Sequence, residues 1–175
     1  MRQKTYILLL LSVALLTISC KDNKVPEVEV FLETRFDIPS NVLIFEQGTI
    51  VTIDVSTQIE SQLSARGLGR GDVTSVLPGR AVLRSRFNNV NLGFLRNVSV
   101  RAVSIEDPSQ VIEMFFLSDV RFDEGGTMDL FSSSSELKDI LLDDLIDVHL
   151  VVNYQNLPPG AVPLELDFSY LVFDE

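Results

Sequence analysis

Apolar and polar residues alternate along most of the chain from Val28 onward. The alternation is clearest in six stretches, at positions 28–33, 51–57, 81–86, 98–105, 146–154 and 164–172. A period of two is typical of half-buried β-strands, because successive side chains of a strand point to opposite faces of the sheet. The pattern therefore predicts a chain built mainly of short strands.

Turn-forming residues punctuate this alternation at fairly regular spacing. They lie at positions 39–41, 46–48, 78–79, 88–89, 107–109, 124–126 and 158–160. Gly, Pro, Asn and Asp favour turns because of their backbone preferences and local hydrogen bonding. Short strands separated by such turns predict an all-β fold, an antiparallel β-sandwich of about eight strands.

Two segments depart from the strand pattern. Residues 58–65 are polar, with Ile59 and Leu63 four positions apart, and are consistent with a short helix or a loop. Residues 135–145 predict one short late helix, which Ser135 could cap. Its apolar residues share one helical face: Leu137, Ile140, Leu141 and Leu145.

Composition agrees with a single globular domain. The chain has 175 residues, of which 46% are hydrophobic and 22% charged. It contains one Cys and one His, too few for an internal disulfide or a Cys/His zinc site. We therefore expect no zinc site of this kind, and the sequence gives no metal site or cofactor motif that we can assign.

The N-terminus has the features of a secretory signal. Arg2 and Lys4 precede an almost wholly apolar stretch at positions 8–16. Sixteen residues separate Lys4 from Lys21, whereas a membrane-spanning helix needs about 20 apolar residues. The sequence therefore predicts a signal peptide over residues 1–19 that is not part of the fold.

The end of the apolar stretch, Leu16-Thr17-Ile18-Ser19-Cys20, resembles a bacterial lipobox. Ser19 fits the small residue of that motif, whereas Thr17 stands where the family usually has Leu. The resemblance implies that signal peptidase II exposes Cys20, which carries a diacylglycerol and a further acyl chain such as palmitate. Two or more chains anchor a protein stably in a membrane. The alternative is an ordinary secreted protein with an incidental Cys.

The residues after Cys20 resemble the surface-export signal of Bacteroidetes-type lipoproteins. Lys21 and Asp22 fit that pattern, and Asn23 stands where a second acid is expected. The resemblance implies an outer membrane lipoprotein, exposed at the cell surface or, alternatively, facing the periplasm. A plain polar tether is the other interpretation. The expected organisation is a signal peptide over 1–19, a lipidated Cys and tether over 20–27, and a β-sandwich domain over 28–175.

The charge balance excludes one class of partner. The chain has 14 basic and 25 acidic residues, a net charge of −11. Without the first nineteen residues, which contain Arg2 and Lys4, the balance is 12 against 25, or −13. Nucleic-acid binding depends on a concentrated basic face, so we expect no nucleic-acid partner.

No catalytic residue emerges from the sequence. His149 is the only imidazole, and Asp147 lies on the same strand face two positions away. Such a pair could act as a catalytic base and the carboxylate that orients it. However, the sequence shows no recognisable nucleophile and no G-x-S-x-G motif to accompany the pair. We interpret His149 as a partly solvated rim residue.

Acidic residues are dense near the late helix. They are Asp139, Asp143, Asp144 and Asp147. Calcium needs six to eight oxygen ligands, and no calcium-loop motif is present. A solvated acidic face is therefore the favoured interpretation, with calcium binding left open. Two such carboxylates across a cleft would instead indicate a hydrolase.

The remaining motifs are weak. Arg70-Gly71-Asp72 matches an integrin-binding tripeptide, and Gly67, Gly69 and Gly71 favour a flexible turn. Tyr154 and Tyr170 fall on the apolar faces of their strands, so no aromatic platform for sugars is expected. Adjacent Phe115 and Phe116 must point to opposite faces, so that either both faces are covered or one ring marks an interface.

These observations predict a lipid-anchored envelope lipoprotein that is not an enzyme. It would act as a structural or interaction module, held at the membrane by Cys20 and contacting a protein partner in the cell envelope. A surface glycan-binding or adhesin domain is the alternative, and a carboxylate-based hydrolase is the third. The overall arrangement of lipobox, tether and all-β domain resembles a widespread type of Bacteroidetes lipoprotein, which implies a fold and a location but no activity.

Overall fold

The computed structural model describes residues 25–44, 46–87 and 89–174. It contains eight strands, all paired antiparallel: β1 (Val28–Ile38), β2 (Gln47–Ser56), β3 (Ser75–Ser85), β4 (Leu95–Ser104), β5 (Val111–Leu117), β6 (Thr127–Ser132), β7 (Leu145–Tyr154) and β8 (Val162–Phe173). The all-β prediction is confirmed. Residues 1–24, including the predicted signal peptide and Cys20, lie outside the described residues.

The strands form a sandwich-like sheet with the order β1-β8-β3-β6-β5-β4-β7-β2. The two halves of this order meet at a short pairing of β5 with β6, where Phe115 lies opposite Ser132 and Phe116 opposite Phe131. The two outermost strands also approach each other, because the Thr52 hydroxyl of β2 donates to the Arg35 carbonyl of β1 at 2.7 Å. The sheet is therefore nearly closed around one core.

Alternation in sequence becomes burial in the structure. Along β1 every second side chain faces the core, from Val28 to Ile38, and the intervening ones are exposed. Phe115 of β5 and Phe168 of β8 meet edge to face across the core, with ring centroids 6.1 Å apart. Burying one such side chain stabilises a fold by about 1.5–3 kcal/mol.

The helical segments are short. They are α1 (Ile59–Ser64), a 3₁₀ turn (Arg70–Asp72) and α2 (Lys138–Leu141). A late helix forms as predicted, but it is only four residues long. Ser135 does not cap it: the N-cap position is Leu137, whose side chain makes no capping hydrogen bond. Leu145, which was predicted to lie on the helix, begins β7 instead.

Two of the predicted turns are wrong. Gln47 and Gly48 belong to β2, and Pro78 and Gly79 lie within β3. The pairing of β3 with β8 shifts register between Pro78 and Ala81, and such an irregularity accommodates a proline that has no N–H to donate. A Cβ on Gly79 would come within 2.4 Å of the Ser169 hydroxyl oxygen, so glycine permits this close approach.

The molecule has two distinct ends. The amide of Glu27, just before β1, donates to the Val172 carbonyl near the end of β8, so the start of β1 and the end of β8 lie at one end of the domain, here called the tether end. The segments joining β1 to β2, β3 to β4, β5 to β6 and β7 to β8 all lie at the opposite, distal end. The twelve residues of β8 span roughly 35–40 Å between these ends. No helix in the described part of the chain is long and apolar enough to cross a membrane.

Candidate functional site: a polar pocket at the distal end

A pocket of about 630 Å³ lies at the distal ends of β4 and β7. It draws side chains from four separate segments of the chain. Its lining residues are Ile44, Arg96, Asn97, Asp119, Val120, Asn153, Tyr154 and Gln155. This volume falls within the range of about 300–1,000 Å³ typical of small-molecule sites.

Gln155 fixes the loops around the pocket. Its side-chain amide donates to the carbonyls of Gly93 at 2.8 Å and Val120 at 2.9 Å, which ties together the β3–β4 and β5–β6 connections. At Gly93 a Cβ would come within 2.2 Å of the Phe122 carbonyl oxygen, so these loops pack against each other too closely for a side chain. The loops that form the pocket are therefore tied together by contacts within the protein.

Asp119 is held in an uncommon backbone conformation at the pocket wall. Its φ is 55°, in the left-handed region that Asp tolerates better than most residues. The Asp119 amide donates to the Asn97 side-chain oxygen at 3.1 Å, and Asn97 lies directly opposite Asn153 in the β4–β7 register. Two amides and a carboxylate are thereby gathered at one place.

Tyr154 lies beneath the pocket. As predicted from its strand face it is buried, with only 5% of its surface exposed. Its ring stacks on Phe94 at 6.4 Å between centroids. Burial raises the pKa of its hydroxyl above the usual value. Tyr170, the other tyrosine of the predicted domain, is buried as well.

His149 lies elsewhere, on the outer face of β7. Its neighbours in register are Val51 of β2 and Arg101 of β4. The Asp147 carboxylate accepts a hydrogen bond from the Asp54 amide at 3.1 Å. This bond holds the irregular end of β2 against β7. His149 is half-buried, in agreement with the partial solvation expected from the sequence, but it lies in the middle of β7 and not at a rim.

Two of the acidic residues near α2, Asp143 and Asp144, take part in local contacts. Arg70 pairs with Asp144 at 2.6 Å and with Glu60 at 2.7 Å. Hydrogen bonding to Glu60 and the nearby Asp144 charge raise the pKa of Arg70, against the opposing effect of desolvation. The backbone carbonyl of Asp143 accepts a hydrogen bond from the Thr57 hydroxyl.

The same contacts fix the Arg70-Gly71-Asp72 tripeptide. Arg70 is engaged in its two ion pairs, and the Asp72 carboxylate accepts the Gly69 amide at 2.8 Å. The segment predicted as a turn is thus a 3₁₀ helix whose two charged side chains already have partners within the domain. These contacts favour a structural role over an exposed recognition motif.

A group of carboxylates that the sequence analysis missed lies on the outer face of β1 and β8. Oxygens of Glu33, Glu165 and Asp167 all lie within 4.8 Å of one another, the only such group found in the described residues. Arg84 of β3 donates to both Glu165 and Asp167, and Arg35 pairs with Glu33 at 2.9 Å. Hydrogen bonding to Glu165 raises the pKa of Arg84 despite desolvation. Arginines thus neutralise the group.

Phe115 and Phe116 separate as their adjacency requires. Phe115 is fully buried in the core, whereas Phe116 faces outward and lies 6.1 Å from the Phe131 ring between centroids. Phe131 is 64% exposed. Phe116 and Phe131 therefore form an aromatic pair on the outer surface, and an interface at this ring stays a prediction from the sequence.

Comparisons with known proteins add no family to this description. No family model matches the chain, and no curated protein matches it significantly. Cys20 lies outside the described residues, so its lipidation stays a prediction from the sequence. Two polar clusters, the distal pocket and the Glu33, Glu165 and Asp167 group, are evident only from the structure.

Proposed function

We propose that this protein is a lipid-anchored, non-enzymatic interaction module of the bacterial outer membrane. The observation that carries the proposal is the position of the distal pocket at the end of the domain opposite the tether end. Cys20 precedes Val25 by five residues, which can span at most about 18 Å. An anchor at Cys20 would therefore hold the tether end near the membrane and present the pocket away from it.

The charge of the domain supports the same orientation. Without the first nineteen residues the chain carries a net charge of −13. Anionic lipid headgroups repel such a domain, so it is favoured to stand off the membrane and not to lie flat on it. The same acidity disfavours nucleic acid and leaves envelope proteins or surface ligands as partners.

Contacts at the candidate catalytic groups support a non-enzymatic role. Asp147 is engaged by the Asp54 amide, and Val51 and Arg101 flank His149. The Glu33, Glu165 and Asp167 group is neutralised by arginines on an outer sheet face. Glycoside hydrolysis instead needs two carboxyl groups about 5–10 Å apart on either side of a bound sugar.

Lipidation can be tested directly in cells fed a clickable palmitate analogue. Cys20→Ser should abolish labelling and release the protein from the membrane fraction. Ser19→Ala keeps a small residue before the cysteine and should retain both labelling and membrane association. Undiminished labelling of Cys20→Ser would rule out the proposed anchor.

The leaflet and orientation can be tested with introduced cysteines. Asn156→Cys places a thiol at the distal end, and Glu106→Cys places one in the β4–β5 connection at the tether end. A membrane-impermeant maleimide should label Asn156→Cys in intact cells if the protein faces outward, and only after outer-membrane permeabilisation if it faces the periplasm. Faster labelling of Glu106→Cys than of Asn156→Cys, measured relative to detergent-solubilised protein, would contradict the orientation.

A further inference from the structure

The distal pocket offers hydrogen-bonding groups of both kinds. The side-chain NH₂ group of Gln155 donates to the backbone carbonyls of Gly93 and Val120, which leaves the side-chain oxygen of Gln155 as an acceptor. The side-chain oxygen of Asn97 accepts a hydrogen bond from the Asp119 amide, which leaves the NH₂ group of Asn97 as a donor. In the parts of the chain that the structure covers, no ion pair or side-chain hydrogen bond occupies Arg96, the Asp119 carboxylate or the Asn153 amide.

These groups together define the ligand chemistry. The free donors belong to Arg96, Asn97 and Asn153, and the free acceptors to Asp119, Asn153 and Gln155. An anion could satisfy the donors but would face Asp119 and a strongly acidic domain. A cation could satisfy the acceptors but would face Arg96. A hydroxyl group donates and accepts at once, so a ligand with several hydroxyls can satisfy both sets.

We infer that the distal pocket binds a neutral polyhydroxylated ligand, a saccharide unit of a surface glycan. The inference deepens the proposed function, because it names what the end presented away from the anchor would recognise. Planar amide, carboxylate and guanidinium groups can each make two hydrogen bonds with fixed geometry, which suits pairs of adjacent hydroxyls. The loops tied by Gln155 and the backbone of Asp119 keep these groups in place before binding, which lowers the entropic cost of recognition.

The pocket lacks one feature that strengthens sugar binding. Tyr154 beneath it is 5% exposed, so little of its ring is available for stacking on a sugar. We therefore expect binding of a single monosaccharide in about the millimolar range. Many copies anchored on one membrane would bind a repetitive glycan more tightly through multivalency, without further contacts in each pocket.

The test uses the full-length chain, purified in a detergent whose headgroup is not a sugar. The probes are the neutral methyl glycosides of glucose, galactose, mannose and N-acetylglucosamine, with glucuronate and glucosamine as charged analogues. Backbone amide chemical shifts followed by NMR give both the affinity and the location of binding. We expect saturable shifts centred on residues 96–97, 119 and 153–155 with at least one neutral glycoside, and binding of the charged analogues weakened at least about threefold.

Two pocket variants have matched controls. Arg96→Gln and Asn153→Ala should each weaken binding by about fivefold or more. Arg121→Gln removes a positive charge from the β5–β6 connection outside the pocket lining, and Asn156→Ala removes an amide just beyond it; both should bind within about twofold of wild type. Because each pocket variant changes one exposed or half-buried side chain, both should keep the wild-type melting temperature, and either suffices for the comparison if the other fails to fold.

Three results would overturn the inference. They are no saturable shift with any neutral glycoside, shifts that map away from the pocket, and tighter binding of a charged analogue than of its neutral counterpart. None of these depends on the anchor. If Cys20→Ser loses palmitate labelling but still binds sugar, both lipidation and the saccharide site are supported, independently of each other. If the wild-type protein carries no palmitate but binds sugar, the proposed anchor is refuted and the saccharide site is not affected.

Discussion

Glu136 is bound to the start of β3 through the backbone amide of Val76, which donates to its carboxylate at 2.7 Å. The Ser75 hydroxyl and the Lys138 amide also donate to Glu136. Desolvation by partial burial opposes ionisation, but these hydrogen bonds outweigh it and hold the pKa of Glu136 below its usual value of 4.5. One carboxylate thus organises the entry to α2 and attaches it to the sheet, where the sequence had predicted a cap from Ser135.

Glu136→Gln should destabilise the protein by about 1 kcal/mol at neutral pH, because a neutral amide accepts these bonds less strongly than a carboxylate. The folded-state pKa is lowered, so the stabilisation is fully present above pH 4.5 and is lost as the pH falls through the lower folded value. The difference between wild type and variant in urea denaturation should therefore shrink on acidification. Glu106→Gln, at an exposed position, should show neither effect. If the difference in stability between wild type and Glu136→Gln stays the same at low pH, the ionised Glu136 carboxylate does not have the stabilising role assigned to it.

Tyr170→Phe tests the buried hydroxyl that donates to the Thr57 carbonyl, next to α1. Removing it leaves that carbonyl without its partner in the core and should cost about 1–2 kcal/mol. Burial raises the pKa of Tyr170 in the folded state, so the folded protein holds its proton while the unfolded chain loses it near pH 10. Wild-type stability should therefore fall progressively as the pH rises above about 10. The fall should be smaller in Tyr170→Phe, because Tyr154 is then the one tyrosine of the described residues whose pKa is raised. If the stability of wild type and of Tyr170→Phe falls equally steeply with pH, the buried Tyr170 hydroxyl does not account for the loss.

The strand pattern was predictable because burial in a sheet is a local property of alternation. The β1 side chains from Val28 to Ile38 alternate in burial as their sequence indicates. Turn residues were less reliable, since Pro78 and Gly79 have local preferences for a turn but occupy an irregularity of β3 against Ser169 of β8. That contact joins positions about 90 residues apart.

Neither cluster of polar side chains could be located from the sequence. Glu33 meets Asp167 only because β1 and β8 pair in one particular register. The distal pocket requires that Asn97 and Asn153 lie opposite each other and that Asp119 folds back onto Asn97. Strand order and register are set by packing of the whole sheet, so a single strand carries no signal of its neighbour across the sheet.

Arg84→Gln tests whether the carboxylate group on the outer face depends on its arginine. The change leaves Glu165 and Asp167 close together without the cation that bridges them, and should destabilise the protein by about 1 kcal/mol at pH 7. The loss arises from repulsion between neighbouring carboxylates, so it should be smaller at high salt, which screens the charges. Arg121→Gln, which breaks the exposed pair with Asp123, should have little effect at low or high salt. A loss of stability in Arg84→Gln that is the same at low and high salt, measured by thermal melting, would show that Arg84 acts by packing alone.

His149→Gln and Leu150→Ala test the two faces of β7 at adjacent positions. His149 is half-buried on the outer face between Val51 and Arg101, so its replacement should change the free energy of unfolding by no more than about 0.5 kcal/mol. Leu150 is fully buried, and its truncation should cost about 2–5 kcal/mol through lost contacts and a cavity. Urea denaturation of the two variants gives both values. A cellular phenotype of the gene should survive His149→Gln, because Asp147 is engaged by the Asp54 amide and does not orient the imidazole. If His149→Gln folds with wild-type stability yet loses that phenotype, the imidazole has a chemical role and the non-enzymatic proposal is wrong.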